Sequence, residues 1–236
     1  MNKIFLTVIF AFVTLESSSQ AGKKTPDLKS VLNGVLEARG GSGYLRSINT
    51  FYAEMLNENR GRFTTWITKE MVPNRGAVTI LDKDSILYDS WFNGKEAFEI
   101  VDGKKREREP GYSAQKRPRK NIFTELDYLD STLWSMELLP DEIVDGNPCF
   151  QVKGTFITRE SRLLYIDKGT FRIIKQEDLN LTNGQVELTS YFSDFKKFGD
   201  FIFYSTVYFV SEQSISSVKV VRVLINEAVS KTDFEK

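Results

Sequence analysis

Residues 85–101 read Ser85-Ile86-Leu87-Tyr88-Asp89-Ser90-Trp91-Phe92-Asn93-Gly94-Lys95-Glu96-Ala97-Phe98-Glu99-Ile100-Val101. Two short runs rich in aromatic and β-branched residues flank Asn93-Gly94, a dipeptide suited to the positive φ of a tight hairpin turn. The same pattern recurs around Asp102-Gly103, Asp145-Gly146 and Asn183-Gly184. It predicts strands near Phe51–Leu56, Arg62–Lys69, Ala77–Leu81, Ser85–Phe92 and Ala97–Val101. A second series is predicted near Gln151–Phe156, Leu163–Asp167, Phe171–Glu177, Val186–Phe192, Phe201–Phe209 and Val218–Ile225. Connections this short admit only antiparallel neighbours, because parallel strands need long crossovers. A meander of about eleven strands lies in the size range where sheets curl or close. The fold class is mainly β, a strongly curved antiparallel sheet with few helices.

Two helices interrupt this pattern. Across Thr25 to Arg39, Leu28, Val31, Leu32, Val35 and Leu36 recur at helical spacing and form one apolar stripe. Thr25 is suited to cap it, Pro26 to open its first turn, and Gly40-Gly41 to end it. Asn33-Gly34 inside the stripe is a turn signal elsewhere. The five stripe positions outweigh it, although a mid-helix glycine costs about 1 kcal/mol. A second, short helix is expected around Asn121–Asp130, where Ile122, Phe123, Leu126 and Leu129 share a face.

The chain has 236 residues, 32 basic and 32 acidic side chains, no histidine and one cysteine. Without an imidazole there is no Ser-His-Asp or Cys-His catalytic system, and no site of His and Cys ligands for zinc or iron. Cys149 has no partner for a disulfide within the chain and is read as a small apolar packing residue. Asp82-Lys83-Asp84 lacks the glycine and closing glutamate of a calcium loop and reads as a turn. Carboxylate-pair chemistry survives this filter, but plentiful carboxylates are also the normal solvated surface. Composition points away from most enzymes, and no catalytic residue, metal or cofactor is assigned. Lys3 and the 12-residue run Ile4–Leu15, followed by Ser19 and Ala21, read as a signal peptide cleaved after Ala21. That run is short of the roughly 20 apolar residues of a membrane span. Removing residues 1–21 from 236 leaves 215, residues 22–236, with no evident linker or internal repeat, and these are read as a single exported domain.

Two features bear on function. Phe201, Phe203, Val207 and Phe209 occupy one face of a single expected strand, and Ile202, Tyr204 and Tyr208 the other. A strand with one face in water alternates with polar residues, so either a thick core or a cavity is implied. The second feature is the stretch Lys104–Lys120, with eight basic residues and two acidic ones. Lys104, Lys105, Arg106, Arg108, Lys116, Arg117, Arg119 and Lys120 form a candidate patch for an anionic partner. A solvated hairpin extension, whose charges only keep it soluble, is the more economical account of them. Nucleic acid is not expected, since neutral net charge and the lack of any supporting motif argue against it.

Several stretches in order resemble the LolA-like family of periplasmic outer-membrane lipoprotein carriers. They are Pro73-Asn74, Trp91-Phe92-Asn93-Gly94-Lys95 with Ala97-Phe98, and Asp145-Gly146-Asn147-Pro148-Cys149-Phe150. Leu164-Tyr165-Ile166-Asp167 with Ile173-Ile174-Lys175, Phe192-Ser193-Asp194-Phe195, and Ile225-Asn226 with Phe234 complete the series. The resemblance implies an incomplete antiparallel barrel of about eleven strands wrapping an N-terminal helix and short lid helices. It also implies a periplasmic, non-catalytic protein that binds lipoprotein acyl chains or another lipid in an apolar cavity. The alternative on the same scaffold is an envelope interaction or sensor module with a closed core. One departure concerns the lid. The family's carriers place an arginine directly before the Pro-Asn step, where this chain has Val72, and Arg75 comes three residues later. The cavity is expected to be lined by Phe63, Thr65 and Ile67 on one face of a strand, by Tyr88 and Trp91, and by Leu133 and Trp134 beside the lid. Trp66, on the opposite face of that strand, is left out.

Overall fold

The computed structural model describes residues 26–236. The expected signal peptide and the Thr25 cap lie outside the described residues. Helix α1 (Leu28–Ala38) is capped by Asp27, whose carboxylate accepts from the Ser30 amide at 2.8 Å. Pro26 therefore precedes the cap instead of opening the first turn. Val31, Leu32, Val35 and Leu36 are buried, and the chain turns at Gly40 and Gly41, both at positive φ. A second helix that periodicity did not signal, α2 (Ser42–Ser47), follows at once.

A first meander then runs outward through β1 (Thr50–Asn59), β2 (Arg62–Met71), β3 (Arg75–Asp82), β4 (Ser85–Phe92), β5 (Ala97–Val101) and β6 (Lys104–Glu107). Helices α3 (Pro110–Lys116) and α4 (Thr124–Asp127) lie in the segment that leads to the opposite edge of the sheet. The second meander returns inward through β7 (Trp134–Val144), β8 (Asn147–Phe156), β9 (Ser161–Asp167), β10 (Ile173–Leu179) and β11 (Val186–Ser193). A short ribbon, β12 (Lys196–Phe198) with β13 (Phe201–Phe203), intervenes before β14 (Thr206–Val210) and β15 (Ile215–Ile225). β15 pairs with β1, so the two meanders merge into one 13-stranded antiparallel sheet whose edges, β6 and β7, remain apart. The protein is an incomplete barrel.

The sheet has more strands than the alternation predicted, for identifiable reasons. β6 is Lys-Lys-Arg-Glu, all exposed, and β7 contains Pro140 within a register shift. Charge and proline are the means by which edge strands avoid further pairing, so both strands lack the apolar pattern that marks an interior one. Residues 201–209 are not one strand. Ser205, buried and bonded to the carbonyls of Ser193 and Asp194, marks the point where the chain leaves the ribbon for the main sheet. At Asp102-Gly103 and Asp145-Gly146 both residues have positive φ, as the hairpin reading requires.

The helices cover one face of the sheet. Val31, Leu32 and Val35 of α1 pack with Trp134, Phe150, Val152, Phe156, Leu164 and Ile166 of β7–β9. Leu36, Leu45, Phe123 and Leu126 pack with Phe51 and Ala53 of β1, Val220 of β15, and Phe201 and Phe203 of the ribbon. The opposite face is closed locally by the 3₁₀ turn Lys231–Phe234, which seats the fully buried Phe234 against Ala77 and Trp91. No helix among the described residues is long and apolar enough to cross a membrane.

Candidate functional site

The cavity lies on the helical side of the sheet and has a volume of about 270 Å³. Val35 and Ala38 of α1, with Arg39 at its C-terminal cap, form one wall, and Ile122 to Glu125 with Tyr128 form the cover. The strands and their connections contribute Phe51, Thr68, Glu70, Arg162, Phe171, Ile173, Gln176, Phe192 and Phe203. Rings dominate the lining. Phe51 meets Phe123 edge-on at 5.5 Å, and Tyr204 stacks on Phe203 at 3.9 Å and lies 4.8 Å from Phe192.

The charged groups are few and specific. Arg39 pairs with Glu125, which ties α1 to α4, and its guanidinium lies 5.1 Å from the ring centres of both Phe201 and Phe203. Lys116 of α3 holds Glu70 of β2 at 3.0 and 3.1 Å. Arg162 lies over Trp134 at 5.1 Å. Burial opposes its charge, but Tyr128, Asp178 and Glu160 outweigh that and hold it charged. Burial raises the Tyr128 phenol and pushes that of Tyr204 up to about 12, so both rings stay neutral hydrogen-bonding groups.

The residues expected from the sequence are not gathered here. Register places Thr64, Trp66, Thr68 and Glu70 on the helical side, because they stand opposite Asn57, Met55, Ala53 and Phe51 of β1. Phe63, Thr65 and Ile67 therefore face the other way, and Phe63 is 56% exposed. The excluded Trp66 is on the cavity's side, where its indole donates to Thr64 at 3.0 Å. Trp91 also faces away, under Phe234. Tyr88 is on the helical side but bonds Glu99 at 3.1 Å, away from the cavity lining. Leu133 and Trp134 are core, 5% and 2% exposed, packed under α1. Strand alternation gives two faces but not which one meets the helices: the parity expected for β2 and for Trp91 is the outward one, while Tyr88 does lie on the helical side. The usable signals were the aromatic run from Phe201 and the Ile122–Phe123 stripe. Arg39 and Arg162 carried none.

The basic stretch is not one surface. Arg106 and Arg108 pair with Glu99, Lys116 with Glu70, and Lys120 with Asp130. Arg117 donates to the Lys95 carbonyl at 2.7 Å and Arg119 to Thr124 at 3.2 Å. Lys105 reaches the Lys236 carbonyl and lies 4.5 Å from the centre of the Phe98 ring, while Lys104 is exposed on the edge strand β6. Lys116 and Arg117 anchor the crossing segment to the first meander, and Arg119 and Lys120 bond within that segment. Val72 has no polar side chain to tie this segment; Asn74 does so by donating to the backbone carbonyl of Arg117 at 3.1 Å, whereas Arg75 donates to the Asn93 carbonyl.

No family model matches the sequence, and no curated protein matches it. Solved structures do match in three dimensions. A DUF1329 family protein from Desulfovibrio piger superposes with a TM-score of 0.63 at 11% identity, covering 89% of this chain and 98% of its own. A LolA superfamily protein from Nitrosomonas europaea gives 0.63 at 12% identity, with 90% and 99% covered. A domain described as outer membrane lipoprotein-sorting, from Vibrio parahaemolyticus, gives 0.61 at 13% identity, with 86% and 95% covered. At such identities the likeness concerns the path of the chain, and that path is the LolA-like fold.

Proposed function

We propose that residues 22–236 form a single, non-catalytic half-barrel domain of the periplasm that binds an amphiphile, its acyl chain held in the cavity beneath α4. The observation that carries this reading is the ring-lined cavity itself. Its aromatic wall is shielded by a cover tied down through side-chain ion pairs, Arg39 to Glu125 and Lys116 to Glu70. Burying acyl methylenes contributes about 0.8 kcal/mol each, so a short chain gives reversible affinity. The fold shared with a domain described as lipoprotein-sorting supports a lipid or lipoprotein acyl chain as the cargo. The test is titration of the mature protein with an environment-sensitive fluorophore on a dodecyl chain. Saturable uptake is expected, and Ile122→Glu, which charges the half-buried cover, should abolish it with the fold intact. Absence of uptake by the native protein would refute the reading.

A second reading, an envelope interaction module, is favoured by a different observation. The hairpins β1–β2, β3–β4, β8–β9, β10–β11 and β14–β15 all turn at one end of the sheet. There, Phe63, Ile86, Ile157, Leu181 and Ile215 are each more than half exposed. On that reading Ile86→Glu with Ile215→Glu abolishes capture of an envelope protein and leaves dodecyl uptake unchanged.

A further inference from the structure

We propose that the cavity selects single-chain amphiphiles that carry an anionic head, with the Arg162 and Arg39 guanidiniums as the head-group anchor; this rests on the amphiphile-binding reading above. The size argument comes first. A volume of about 270 Å³ falls at or below the low end of the roughly 300–1,000 Å³ typical of small-molecule sites. It suits one alkyl chain at a time.

The charge argument rests on bonds left unmade. Arg39, Arg162 and Arg172 line the cavity with only two carboxylates, Glu70 and Glu125. Lys116 occupies Glu70 from outside the lining, and Glu125 is engaged by Arg39 through Nη1. The Nε atoms of both Arg39 and Arg162 are nevertheless buried without a hydrogen-bond partner. Around Arg162, the Asp178 carboxylate pairs with that Nε only at 3.6 Å, an ion pair longer than a hydrogen bond, while Tyr128 and Glu160 also help to hold the guanidinium charged. Buried donors are normally paired, and two guanidinium N–H groups left unpaired in two residues that line the same cavity are suited to an anionic oxygen. Carboxylate and phosphate both offer acceptors that fit a guanidinium fork. The surrounding rings then take the chain.

The experiment compares heads on one chain. Laurate, dodecyl phosphate and dodecanol are titrated by calorimetry into the mature protein, each below its aggregation concentration and at one ionic strength. The anionic pair should bind about tenfold tighter than dodecanol or better, as charge-assisted hydrogen bonds exceed neutral ones. Whichever anion binds tighter then identifies the head as carboxylate or phosphate. Arg162→Gln should bring the preference for the anionic heads within about threefold, since it removes the charge-assisted bonds. Equal binding of all three by the native protein would overturn the head-group inference and leave the amphiphile reading standing. Failure of all three to bind would overturn both. The native comparison needs no variant, and Arg39→Gln repeats the test if Arg162→Gln does not fold. A preference that survives both substitutions would remove these arginines from the assignment.

Discussion

Gly34 sits in the middle of α1, where alanine is intrinsically preferred by about 1 kcal/mol, yet alanine is the wrong substitution here. A Cβ at Gly34 would meet the Phe171 ring at 2.2 to 2.8 Å, and Phe171 also lines the cavity and stacks on Phe150. The steric term is the larger, so Gly34→Ala should lower stability by about 1–3 kcal/mol in urea denaturation. Cys149 is fully buried beside Val144 and Tyr165, and burial raises its thiol pKa. The native protein should accordingly be inert to thiol reagents at neutral pH and react fully once unfolded. Asp130 offers a pH test. Bonds from Lys120 and Thr132 lower its carboxyl from 3.8 to about 2. A depressed acid stabilises the fold above its unfolded pKa, and that contribution fades as pH falls through the folded value. Wild type should be more stable than Asp130→Asn at pH 7, and the two should converge as pH falls from about 4 to about 2.

Among the elements, α4 is the one whose hold on the molecule can be separated from its packing. It has four residues, too few for independent stability. It stays in place through Phe123 and Leu126 in the core and through Glu125 on Arg39. Glu125→Ala leaves a half-buried guanidinium without its partner, at a cost of about 1–3 kcal/mol. Amide hydrogen exchange over Ile122–Asp130 should accelerate more than exchange in β8 and β9, which open only with the whole sheet. Interior strands and α1 were readable because burial imposes a period on their residues. α2, α3, β6 and β7 were not. The helices among them are too short to show a stripe, and the strands lie at edges whose sequence answers to solvent.

For the whole molecule, the register of β1 with β15 joins the meanders, and the closing turn reaches across to brace the first of them. Phe234 is buried against Trp91, Lys69 pairs with Asp233 at 2.5 Å, and Lys236 holds Asp89 at 2.8 Å. Phe234→Ala should cost about 3–5 kcal/mol if the space does not collapse. It should also shift tryptophan emission to the red as Trp91 meets water. A Trp91 placed in the cavity would respond to ligand instead. The sequence alone determined what depends on neighbours along the chain: the strand-and-turn order, the antiparallel pairing that short loops enforce, and the stripe of α1. It did not determine which parity of each strand meets the helices, because alternation defines two faces and labels neither. Only pairing Phe51 with Glu70 and Ala53 with Thr68 gave β2 its inner face. Arg39 and Arg162, far apart in the chain, become walls of one cavity only when the second meander folds back to β15, because contacts of that span are set by packing and not by local pattern.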